Sequence, residues 1–205
     1  MTLTRALGRY ARPPRDPSAP RCELCAGAIA EAHGHVVELE SRRMLCACRP
    51  CALLFTEHGA GGGRYRTVPE RVRVDPGFTL EWERLGVPVG LAFFFFSSSL
   101  KQWVALYPSP AGATEAELPD GALESFSREP LALALEPDVE ALLVRRPRGA
   151  QTTECFLAPI DACYALVGLV RKSWRGFDGG EEARDGIDAF FERLRAQSRP
   201  LERRP

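Results

Sequence analysis

With 205 residues, of which 45% are hydrophobic and 26% charged, the chain can bury a sizeable core and has the composition of an ordinary globular protein. Its 27 basic and 27 acidic side chains cancel, so no net field draws it to nucleic acid or to an anionic membrane. No apolar run reaches the ~18 residues of a membrane helix, and the N-terminal stretch lacks an apolar core of signal-peptide length. The seven cysteines are therefore read as cytoplasmic thiols and metal ligands, not as a disulfide framework.

Residues 1–20 carry Pro13, Pro14, Pro17 and Pro20 among arginines and serines, and predict a disordered arm. Residues 21–60 form a cysteine module. Cys22-Glu23-Leu24-Cys25 is answered by Cys48-Arg49-Pro50-Cys51, and each Cys-x-x-Cys places two sulfurs on one side of a tight turn. Gly27, just after the first turn, is expected to let backbone amides face the sulfurs. A strand over 35–40 and a returning strand over 43–46 predict a hairpin between the knuckles. The apolar run 52–55 fits a helical turn or a strand, and the glycines of 59–63 a flexible connector.

The pattern then changes. Residues 65–198 predict an α+β domain. Its strands fall at 66–74, at the continuous apolar run 89–97, at 102–107, and at 139–145 and 152–157, with an exposed loop over 108–121. Asp161 is placed as the N-cap of a helix whose stripe is Cys163, Leu166, Val167, Val170 and Trp174. After a break at 176–180, a second helix over 181–197 buries Ile187, Phe190, Phe191 and Leu194.

The chemical signal lies in the cysteines. Four thiolates around Zn²⁺ leave a net charge of about −2, for which Arg21, Arg42, Arg43 and Arg49 are the nearest cations in sequence. A module this small also needs a staple, and structural zinc supplies roughly 10 kcal/mol or more of folding free energy. Cys22, Cys25, Cys48 and Cys51 are thus the expected ligands, with Cys46, His33 and His35 as alternatives that stay open. Iron in a rubredoxin-like cage uses the same four sulfurs, and ligand type alone does not separate the two metals.

Cys155 and Cys163 read as buried thiols, and His58 as an exposed side chain. The turn holding Trp174, Arg175 and Phe177 has a composition suited to a partner surface, although a helix–helix turn pinned by aromatics explains it as well. No phosphate loop, dinucleotide fingerprint or nucleophile elbow occurs, which predicts a non-enzymatic role.

Cys22 to Cys25, His33-Gly34-His35, the run from Cys48 to Phe55, and the run from Cys163 to Gly180 together resemble an uncharacterised bacterial family, domain of unknown function 5947, over about residues 21–196. The resemblance implies an accessory role beside [NiFe]-hydrogenases, in maturation, assembly or electron delivery, with a hydrogenase subunit or maturation factor as partner. It brings no catalytic residues. The resulting expectation is an α+β protein: a zinc-ribbon or rubredoxin-like knuckle module, joined to an antiparallel sheet with two C-terminal helices. It would bind structural zinc and a protein partner. The alternatives are a one-iron electron carrier and a nucleic-acid-binding zinc ribbon, the latter disfavoured by the neutral charge.

Overall fold

The computed structural model describes residues 20–201, apart from 79, 81, 88, 120, 124, 125, 151, 177 and 178. The arm expected over 1–20 lies outside the described residues, except for the exposed Pro20. Among the described residues, ten strands and four α-helices make a mixed α+β fold with two sheets.

The smaller sheet is the hairpin β1 (Gly34–Glu38) and β2 (Arg43–Ala47), with β3 (Tyr65–Thr67) added to the free edge of β1. Both pairings are antiparallel. Helix α1 (Arg49–Leu53) follows β2 directly, with Pro50 in its first turn, where a missing N–H costs nothing. The strand expected over 66–74 is split. Its first part joins the small sheet, and its second part is β4 (Arg73–Val74) of the large one, because Pro69 between them donates no ladder bond. The glycines of 59–63 build an ordered turn of left-handed residues, not a slack connector. At Gly61, with φ of 59°, a Cβ would lie 2.8 Å from the Phe55 ring, so only glycine fits.

The larger sheet adds β5 (Leu91–Ser97), β6 (Gln102–Ser109), β7 (Gly112–Glu115), β8 (Glu140–Arg145), β9 (Glu154–Pro159) and β10 (Arg199–Pro200). The order is β10-β4-β9-β8-β5-β6-β7, antiparallel throughout except for the β10–β4 pair. The loop expected over 108–121 begins instead as a hairpin. β6 runs to Ser109 and β7 returns from Gly112, whose φ of 127° is open to glycine.

The apolar run in β5 splits by period two. Phe93 and Phe95 join one core with Leu143, Phe156 and the helices α3 (Ile160–Ser173) and α4 (Gly180–Gln197). Ala92 and Phe94 join the other, with Leu142, Leu157, Trp82, Leu85 and Leu131 of α2 (Pro130–Leu133). A strand buried on both faces has no polar side to alternate with, which is why its sequence is continuously apolar. The two long helices cover one face only.

The small sheet does not stand alone. Val37 and Val68 belong to the core under α3. Arg66, on β3, is buried and donates to Glu136 at 2.8 Å. Arg71 bridges Glu136 at 3.1 Å and Glu140, at 2.7 and 2.9 Å, and Glu140 is fully buried on β8. This ladder of charges fastens the chain between the sheets to the larger one.

Candidate metal centre

The first knuckle is a short antiparallel loop, in which Arg21 pairs with Ala28 and the Cys22 N–H donates to Gly27 O at 2.8 Å. Ala26 N–H closes the turn on Cys22 O, and the left-handed residue is Ala26, with φ of 61°. The left-handed bend thus falls at Ala26 and not at Gly27, whose N–H faces the Cys25 sulfur and whose missing side chain matters too. A Cβ there would stand 3.3 Å from Cys25 Sγ, so the glycine clears space for the sulfur. Glu23, inside the knuckle, ties it to β2: its N–H donates to Cys46 O at 2.8 Å, and its carboxylate accepts from Cys46 N–H at 2.6 Å. The second knuckle places Cys48 just before α1 and Cys51 within its first turn.

The four sulfurs of Cys22, Cys25, Cys48 and Cys51 lie within 4.8 Å of one another. Around a tetrahedral ion with metal–sulfur bonds of about 2.3 Å, sulfurs stand about 3.8 Å apart. Cys25 Sγ and Cys48 Sγ are already at 3.7 Å. Cys22 is buried, Cys48 and Cys51 are half-buried, and Cys25 is exposed. The donor set and its spacing fit a single ion.

The electrostatics of the cluster favour one thiolate and resist the next. Burial works against ionisation of Cys22, but backbone N–H groups of Cys48, Cys25 and Leu24 and the Cys25 thiol outweigh it and bring its pKa down to about 6. Cys51 is pushed up to about 12, first by its hydrogen bond with Cys48 and then by burial and the other sulfurs. Cys25 is raised as well; the Gly27 N–H works against this, but Cys22 and Cys48 prevail. A second negative charge among these sulfurs needs a cation to offset it, and that is what an ion supplies. The donors are backbone amides rather than the arginines expected from sequence. Arg21 donates to Ala26 O at 3.2 Å, and Arg43 lies 3.9 Å from the Glu23 carboxylate.

His33, His35 and Cys46 make a group of their own, again with ligand atoms within 4.8 Å. Cys46 lies opposite His35 in the β1–β2 ladder. Asp161, expected as an N-cap, is the second residue of α3. It accepts from Ala162 N–H at 2.7 Å and from His35 Nδ1 at 2.8 Å. Pro159 takes the cap position. That partnership spans 126 positions, and no local pattern reveals it.

Cys155 and Cys163 are buried thiols, raised by burial first and by nearby carboxylates second, as expected of core cysteines. All seven cysteines are unpaired. His58 is exposed and accepts from Arg66 at 3.1 Å. Trp174 is half-buried against the core, donates from Nε1 to Gly176 O at 3.0 Å and packs on Gly179. Arg175 is exposed and donates to Lys172 O and Trp174 O. Phe177 lies outside the described residues.

The pattern of a family described as "Family of unknown function (DUF5947)" matches residues 21–198, which takes in the knuckles, the small sheet, the large sheet except β10, and both long helices. The chain belongs to this family. No curated protein and no solved structure matches it. Among the described residues, no helix is long and apolar enough to cross a membrane.

Proposed function

We propose that this member of the family is a zinc-stapled accessory protein, non-enzymatic and cytoplasmic, that presents a surface to a protein partner. One zinc ion held by Cys22, Cys25, Cys48 and Cys51 organises the small sheet. The observation that carries this reading is the convergence of four sulfurs from two separate knuckles, two of them at tetrahedral-edge distance. For the partner surface, Leu53 and Leu54 are 59% and 66% exposed at the end of α1. Beside them opens a cleft of about 760 Å³, lined in part by Ile29, Ala52, Leu53 and Val68. Family resemblance alone nominates a [NiFe]-hydrogenase subunit or maturation factor as the first partner to try.

The test is elemental analysis and an absorption spectrum on protein purified without added metal, alongside Cys25→Ser. A colourless protein whose zinc falls in the variant is expected. Iron, with visible charge-transfer bands that bleach on reduction, would replace this reading with the electron-carrier one. Metal content unaffected by Cys25→Ser would remove the four-cysteine site.

A further inference from the structure

The group formed by His33, His35 and Cys46 has its own chemistry. His33 Nδ1 lies 2.9 Å from both Ala30 O and Glu31 O. Carbonyls only accept, so Nδ1 carries the proton and Nε2 keeps a lone pair. That Nε2 is buried and has no hydrogen-bond partner among the described residues. A buried acceptor left without a donor is destabilising unless something binds it. His35 is fixed in the same tautomer from another direction, because its Nδ1 meets the Asp161 carboxylate at 2.8 Å. A carboxylate behind an imidazole is the arrangement that orients metal-binding histidines and makes the far nitrogen a stronger donor. Cys46 completes the set from the facing strand.

We propose that His33, His35 and Cys46 form a second mononuclear site, for a divalent ion of the zinc class, separate from the four-cysteine site and with its fourth position left to water. Two neutral imidazoles and one thiolate suit a borderline ion. The Cys46 thiol gives up its proton to solvent as the metal–sulfur bond forms, leaving the site at about +1. Asp161, bonded to His35, offsets that charge. The contrast with the other centre is in charge as well as ligands, since four thiolates leave about −2. Three protein ligands with one open position are the pattern of zinc sites that exchange a ligand, whereas four closed sulfurs are the pattern of structural ones. The site also has a mechanical consequence. Through the His35–Asp161 bond it lies against the start of α3, so occupancy holds the β1–β2 hairpin against that helix.

The experiment is metal stoichiometry on full-length protein reconstituted with Zn²⁺ and, separately, with Co²⁺. It compares wild type, Cys46→Ser, His33→Ala and Cys25→Ser, with circular dichroism to confirm folding. Two equivalents in wild type are expected, with one lost in both Cys46→Ser and His33→Ala while the four-thiolate Co²⁺ bands persist. A single equivalent in wild type that both variants retain would overturn the second site and leave the four-cysteine site standing. A single equivalent lost in Cys46→Ser and His33→Ala but kept in Cys25→Ser would support the second site and refute the first. His33→Ala alters a loop side chain, so it keeps the question decidable if Cys46→Ser fails to fold.

Discussion

The seven-stranded sheet buries Phe93, Phe94, Phe156 and a run of leucines on its two faces. In the cluster of the three-stranded sheet the buried members, among the described residues, are Cys22, Val36, Ala47 and Ala52. One region is held together by apolar area, each large side chain contributing about 1.5–3 kcal/mol. The other has three small or medium apolar side chains and a cysteine, which do not stabilise a hairpin and two loops by themselves. The cysteines stand where its core would otherwise be. On the proposed reading a metal ion there takes the place of packing, which would tie the stability of one end of the molecule to metal supply and leave the other end indifferent to it.

Removing the ion should separate the regions most sharply. Chelation, or Cys51→Ser, withdraws a contribution on the order of 10 kcal/mol from the small sheet. Amide exchange should then rise across 21–56, while β5, β8 and β9 keep their protection. Uniform protection loss across both sheets in exchange mass spectrometry would show the comparison to be wrong, and the two sheets to be one cooperative unit. A smaller effect probes the fastening between them. Arg71→Ala removes the bidentate cation from the fully buried Glu140, which keeps the Glu136 N–H at 2.9 Å, and should cost about 3 kcal/mol. Global urea unfolding reads this directly, and an unchanged midpoint would mean that Glu140 finds other donors. The smallest expected effect lies in the first knuckle. Ala26 holds a left-handed conformation that glycine adopts without strain, so Ala26→Gly should stabilise the metal-bound protein by about 0.5 kcal/mol. A lower melting temperature would contradict that.

Much of the body was legible because its signals are local. The period-3.6 stripe of α3 and the continuous apolar run of β5 follow from which faces are buried, and burial writes itself into the residue pattern. The convergence of Cys22, Cys25, Cys48 and Cys51 was legible for a similar reason, since each knuckle is a four-residue turn. The misreadings fall where distant partners decide. Asp161 reads as a cap until His35 is seen beside it, and 66–74 reads as one strand until the two flanks of Pro69 are seen in different sheets. Glu23 gave no signal at all, although it fastens the knuckle to β2 through both its backbone and its carboxylate. His33 and His35 were within the right module, but only the folded chain separates them and Cys46 from the four sulfurs.

The 3.7 Å between Cys25 Sγ and Cys48 Sγ has a further consequence, given that Cys25 faces solvent. An ion occupying the cage shields both sulfurs from oxidants. Once it is stripped, peroxide or dioxygen can take two electrons and two protons from the pair and leave a cystine, which no longer coordinates. Preparations that are demetallated in air should therefore refuse metal until a reductant is added, and an ion held there would protect the thiols as well as shape the fold.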